Sequence, residues 1–294
     1  MMVLLLAAAF AQDVQVPDAP QLGSDPVRVD TFAGRSAIMP SAASFDGFRS
    51  TLAIVHVRDP LVFRSPDAAD PIAVVGPVWG LHGALARAWG PWAVGVSLPV
   101  YATVGTDLHD DPPGSALGDL ALDSRFVALD AASTTGVGLA VQGRVTAPLG
   151  ADSVYLGQPG FTWELLGVGE LRPGDAQLGV ALGTRGVPEV DLVGTELNDL
   201  LVYRLQVGRA LGPGGATVEL LGQRQYQGFF DDPTNSPLEV LVGGWGDLRN
   251  DSRLRGALGW GVNPGIGAPL FRVVVGVGAD AVSTPRGPGS APPR

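Results

Sequence analysis

The loops of this 294-residue chain alternate short and long around about twelve strand-like segments, and that alternation narrows the possible folds more than any motif. The short connections are Gly90-Pro91, Asp130 to Thr135, Arg172 to Asp175, Gly212 to Gly215 and Arg249 to Ser252. The long ones fall between them: Asp59 to Val78, Gly105 to Ala116, Gly150 to Phe161, Arg185 to Asp199, Gln227 to Ser236 and Asn263 to Pro269. A soluble sandwich has no reason to sort its loops in this way. A closed up-and-down barrel in an outer membrane does, with tight turns on the periplasmic rim and longer loops on the other. An even strand count places both ends of the barrel on the short-turn rim.

The segments lie at 50–58, 79–89, 92–104, 117–129, 136–148, 162–171, 176–184, 200–210, 216–226, 237–248, 253–262 and 270–282. Each has the length that a tilted membrane strand needs. Several alternate with period two. Val137, Leu139, Val141 and Val145 share one face of their segment, opposite Gln142 and Arg144. Leu254, Leu258, Trp260 and Val262 oppose Arg253 and Arg255, and Phe271, Val273, Val275 and Val277 oppose Arg272. The polar faces carry charged and small residues, which suits a lumen better than a solvated sheet. The expected fold class is therefore all-β: a transmembrane up-and-down antiparallel β-barrel of about twelve strands, over residues 50–282. No apolar run approaches the roughly 18–20 residues of a transmembrane helix, and an open sheet would leave backbone groups unpaired in hydrocarbon.

The expected lumen-lining residues are Asp123, Arg125, Gln142, Arg144, Glu164, Arg204, Gln206, Glu219, Glu239, Arg253, Arg255 and Arg272. They could form an internal ladder of ion pairs or line a polar conduit of mixed charge. An unpaired internal charge costs several kcal/mol, so either arrangement requires partners or water. Pairing of Arg204, Arg253, Arg255 and Arg272, together with occupation of the lumen by the N-terminal stretch, would distinguish a closed barrel from an open one. Trp79, Trp89, Trp92, Trp163 and Tyr203 fall at strand ends or outward positions, as interfacial aromatic belts require.

Outside the barrel, residues 1–11 read as a signal peptide, with an apolar core from Val3 to Ala9 and a small-x-small site at Ala9-Phe10-Ala11. Residues 12–49 read as a linker or an N-terminal plug, with one short strand expected from Val27 to Phe32. Residues 283–294 read as a flexible Pro-rich tail.

Chemistry is sparse. The net charge is −10, every basic residue is Arg, and there is no basic run, so nucleic acid is not an expected partner. There is no cysteine, which removes disulfides and thiolate chemistry. His56, His82 and His109 are far apart and have no ligand spacing, so neither a metal nor a cofactor is expected. No serine sits in a nucleophile elbow, and the glycine strings match no phosphate loop. The chain is not expected to be an enzyme.

The string Gly118-Asp119-Leu120-Ala121-Leu122-Asp123-Ser124-Arg125-Phe126 resembles a strand of barrel domains in OmpA-family proteins of myxobacterial type. It is also similar to outer-membrane transporters of the phenol-degradation, MetA-pathway type. Gly136 to Gly150, Leu238 to Leu241, and Gly259 to Val277 with its Gly265-Ile266-Gly267-Ala268-Pro269-Leu270-Phe271-Arg272 string extend the resemblance over about residues 45–280. It implies a monomeric barrel in the cell outer membrane with a porin-like or small-solute transport role. The expected partners are outer-membrane lipid and lipopolysaccharide, the barrel assembly machinery and a small solute. The alternative is a closed, envelope-anchoring barrel of OmpA type without the periplasmic domain.

Overall fold

A computed structural model describes residues 29–58, 61–63, 72–104, 115–133, 135–150, 160–188, 190–192, 195–197, 199–226, 236–248, 252–263 and 269–281. The expected signal peptide and tail lie outside them. Twelve antiparallel strands form one closed barrel: β1 (Gly47–Arg58), β2 (Val78–Trp89), β3 (Trp92–Val104), β4 (Leu120–Leu129), β5 (Val137–Ala147), β6 (Thr162–Leu171), β7 (Ala176–Gly186), β8 (Leu200–Leu211), β9 (Gly214–Gln225), β10 (Leu238–Asp247), β11 (Ser252–Asn263) and β12 (Phe271–Ala281). Each strand pairs with its sequence neighbours. The ladder from Phe48↔Ala281 to Arg58↔Phe271 joins the last strand to the first. Two short hairpins, Leu61–Phe63 with Ile72–Val75 and Val190–Leu192 with Thr195–Leu197, belong to the long loops. Ala116–Leu117 adds a two-residue extension beside β3.

The short turns are made by residues that tolerate left-handed backbone. Gly90, Gly136, Gly174 and Gly212 all have φ between 56° and 66°, a region that a Cβ disfavours. This is why the loops on one rim can be so tight.

Side-chain alternation sorts the two faces. Leu52, Ile54, Leu85, Leu122, Val141, Leu182, Val207, Val242 and Leu258 are all at least 44% exposed on the outer surface. So much exposed apolar surface, wrapped around a closed sheet, is what lipid contact requires and water disfavours. Aromatics mark both edges of this band. Phe48, Trp89, Trp92 and Phe126 lie towards the short-turn rim, and Trp79, Trp163, Tyr203 and Trp260 towards the long-loop rim. Trp92 packs on Phe126, and Trp79 stacks on His56 at 4.4 Å. Outward arginines also stay near the edges: Arg87 lies over the Phe48 ring.

The outer face yields a depth-dependent prediction. Val141→Arg, at mid-strand in β5, should cost about 2–4 kcal/mol of barrel stability, whereas Leu211→Arg at the short-turn rim should cost about 0–1 kcal/mol. Guanidinium unfolding in lipid vesicles measures both. Equal costs would contradict a lipid-facing band.

Candidate functional site: a charged lumen and the segment inside it

The inward faces are of two kinds. β1, β2, β3 and β12 present mostly small and apolar groups, among them Val55, Val57, Val78, Ala84, Ala86, Ala88, Ala93 and Val274, all buried. The buried charges stand on the remaining wall and, at Arg272, on β12. Asp123, Arg125, Gln142, Arg144, Glu164, Arg204, Gln206, Glu219, Glu239, Arg255 and Arg272 all face inward and are buried, whereas Arg253 is partly exposed at the short-turn rim.

Register brings opposite charges together. Asp123 is the cross-strand partner of Arg144, which donates to both of its oxygens at 2.6 and 3.1 Å. Arg272 forks onto Glu239 in the same manner at 2.7 and 3.1 Å. Those two residues reach each other across β11 because Gly259 lies between them; a Cβ there would stand 2.6 Å from Glu239 Oε1. Arg204 donates to Glu164 at 3.2 Å, Arg172 to Glu170 at 2.6 Å, and Arg253 to Asp247 at 2.5 Å. Two-point arginine–carboxylate contacts fix geometry as well as charge. In a buried setting they prevent the penalty of an isolated ion.

The chain enters the lumen at Gly47, whose φ of 80° turns it off the end of β1. Residues 29–46 then run inside the barrel. The expected strand from Val27 to Phe32 does not form over its described part: Val29 and Asp30 are irregular, and Thr31–Phe32 is a turn. The chain there is committed to side-chain and wall contacts rather than to a ladder. Ala33 and Pro40 form an isolated bridge, and Ser41 N donates to Phe32 O at 3.3 Å. The result is a small hairpin. Ser36 Oγ organises its tip by accepting from Ile38 N and Met39 N.

This hairpin wedges between the two walls. Phe32 packs on Ala86, Ala88 and Ala93, and Met39 with Ala42 packs on Val127, Ala140, Leu166, Val168, Ala181 and Val202. Full burial of each large side chain contributes about 1.5–3 kcal/mol. Small wall residues make the room. A Cβ on Gly95 would stand 2.6 Å from Thr31 Cγ2, and one on Gly138 would stand 2.8 Å from Ala42 Cβ.

Polar contacts complete the fit. Glu219 accepts from Ser36 Oγ (2.6 Å), Ala37 N (2.9 Å) and Ile38 N (3.4 Å). Glu170 accepts from Ser41 Oγ (2.8 Å) and Ala42 N (2.9 Å). Arg125 donates to Ser41 O at 2.6 Å and lies 4.6 Å from the Phe32 ring and 5.4 Å from the Phe45 ring. Arg255 donates to Ala33 O at 2.9 Å and to Thr51 Oγ1 at 3.4 Å. Arg35 lies over the ring of Trp245, which faces inward. Period two carries this inward face from Glu239 through Leu241 and Gly243 to Trp245, although tryptophan suggests the outer belt.

Of the histidines, His82 is buried on the inner face, His56 is on the outer face with Nδ1 3.2 Å from Val78 O, and His109 lies outside the described residues. Among the described residues no cluster of three or more potential metal ligands occurs.

The fold of this barrel is that of outer-membrane β-barrel proteins. No protein-family model and no curated protein sequence matches the chain. The crystal structure of an outer membrane channel from Pseudomonas putida F1 superimposes with a TM-score of 0.61 at 14% identity, covering 80% of this chain and 96% of that one. The NanC porin superimposes with a TM-score of 0.50 at 8% identity, covering 78% of this chain and 97% of that one. These likenesses fix the architecture. They do not distinguish an OmpA-family barrel from one of phenol-degradation type.

A pH effect is expected where the segment meets the short-turn rim. Burial would raise the Asp130 carboxyl, but hydrogen bonds from Ser44 Oγ, Ser44 N and Ala132 N, with Arg172 nearby, outweigh burial and hold it below the usual carboxylate range. A depressed carboxyl stabilises the fold above its unfolded value, about 3.9, and loses that contribution as pH falls through the folded value. Asp130→Asn should therefore lower the thermal stability at neutral pH. The gap to the unaltered protein should close below about pH 4. A gap constant from pH 7 to pH 3 would contradict the assignment.

Proposed function

We propose that this chain is an outer-membrane transport barrel for a small solute, closed in its resting state by residues 29–46 acting as a plug. The observation that carries this reading is the asymmetry between its two surfaces: an apolar band outside, and inside a charged wall whose groups are partly satisfied by the wall and partly by the segment. A purely structural barrel has no need of a separable filler. Filling the lumen with larger wall side chains would serve, and here the wall is instead cut back to Ala and Gly where the segment sits. The proposed location is the cell outer membrane, with lipid and lipopolysaccharide around the barrel and a monomer as the assembled form. The phenol-degradation-type resemblance of Gly118 to Phe126 supports the transport class and names no solute. Catalysis on a substrate is not part of this reading.

The second reading is a permanently closed, envelope-anchoring barrel of OmpA type. It is favoured by the pairing of Arg204, Arg253 and Arg272 with carboxylates. The two differ in what happens when the segment is loosened. Glu219→Gln removes the charge and one of the two oxygens that hold Ser36, Ala37 and Ile38, while Glu239→Gln disturbs only a pair within the wall.

Planar-bilayer recordings should show the unaltered protein closed, with rare and brief openings. Glu219→Gln should raise the open fraction at least tenfold, as the loss of more than about 1.4 kcal/mol implies. Glu239→Gln should leave it near the starting value. A barrel that stays silent in all three forms would favour the structural reading.

A further inference from the structure

We propose that the mid-height polar wall around Gln142 and Arg204 is a binding site for a small carboxylate anion, and that Asp30 of the inner segment occupies it as an internal stand-in. Asp30 is 1% exposed. Its Oδ2 accepts from Gln142 Nε2 at 2.9 Å and lies 3.7 Å from Arg204 Nη1, while its Oδ1 accepts from Phe32 N at 2.8 Å. Both wall groups are themselves more than nine-tenths buried. A planar two-oxygen anion is thus already bound by the wall, and the chain supplies it from a residue 112 positions away from Gln142.

Charge balance points the same way. Around Asp30 the wall directs Arg144, Arg185 and Arg204 inward, against Asp123 and Glu164; Arg125 reaches towards the short-turn rim, where it holds Ser41 O on the side of Glu170. Asp123 is engaged by Arg144 on both oxygens. Glu164 is engaged by Arg204 and lies opposite Arg185. Asp30 brings the third negative charge. Without it, this low-dielectric patch carries an excess of cations, and an anion or water must take its place. The patch also keeps an unused donor: Arg125 Nε, on the β4 residue paired with Gln142 of β5, is buried without a hydrogen-bond partner.

The position gives the site a role. Gln142 and Arg204 lie at the middle of their strands, whereas the Ser41, Ala42 and Ser44 contacts lie near the short-turn rim. A solute entering from the long-loop side meets the Asp30 site before those latches. An anion that takes the Asp30 position removes one anchor of the segment, so binding and loosening are coupled by competition. That role rests on the transport reading; the binding site itself does not.

The test is chemical rescue in the full-length, detergent-solubilised protein. Asp30→Ala removes the carboxylate and leaves space for formate. About 100 mM sodium formate, against sodium chloride at equal ionic strength, should raise the unfolding temperature of Asp30→Ala by about 2–5 °C. It should leave the unaltered protein and the double variant Asp30→Ala/Gln142→Leu where they were. The same shift in all three proteins, or none in Asp30→Ala, overturns the proposal. Where Asp30→Ala does not refold in chloride, formate must raise the yield of heat-modifiable barrel several-fold, and equal yields in the two salts overturn it. Failure of the conductance experiment would remove the transport reading and leave the formate result standing.

Discussion

Closure of the backbone ladder is the constraint on which everything else in this structure depends. In hydrocarbon every backbone N–H and C=O must find a partner within the protein, and a sheet meets that demand only by joining its last strand to its first. The β1–β12 ladder does so over eleven residue pairs. Once the sheet is closed, period two has only one meaning: one face to lipid, the other to the lumen. The leucines and valines of the outer band and the arginines of the inner wall are two consequences of the same alternation.

Closing twelve strands leaves an interior too wide for ordinary wall side chains to fill and too narrow to remain unstructured. The chain resolves this unevenly. On β1 to β3 the wall is mostly Ala, Gly and Val, and Phe32 of the inner segment packs against Ala86, Ala88 and Ala93. On β4 to β11 the wall is charged, and its groups fall into two sets. Arg144–Asp123, Arg204–Glu164 and Arg272–Glu239 pair wall with wall, and the first two also touch the segment, through Thr31 Oγ1 and Asp30. Glu219 and Arg125 instead take partners from the segment. The first set ties the strands to one another; the second gives the segment a fixed seat.

The strands were legible in the sequence because their signals are local. Tight glycine turns, long acidic loops and alternation recur along the chain, so the expected segments at 92–104 and 162–171 coincide with β3 and β6, and the other ends fall within about three residues, including the start of the one at 117–129. That segment breaks because Gly118 and Asp119 separate Ala116–Leu117 from β4; Gly118 lies against Pro99 and Tyr101, where a Cβ would have no room. The contents of the lumen were much less legible. The contacts of Asp30, Ser36 and Ser41 join residues 112, 183 and 129 positions apart, and no local pattern encodes such pairings. The four prolines between Pro17 and Pro40 signal only that no long element forms. The inward turn of Trp245 was legible through parity with Glu239, six residues earlier on the same strand, but the ring's contact with Arg35 of the segment was not.

Occupancy of the lumen by residues 29–46 is the central claim, and thiol labelling tests it most directly. The chain has no cysteine, so Met39→Cys places a single thiol at the fully buried seat of the segment. Treated with a water-soluble maleimide in folded, vesicle-embedded protein, this thiol should stay unlabelled for hours and react completely after denaturation. Rapid labelling in the folded barrel would mean that water reaches the seat freely, and the closed lumen described here would be wrong.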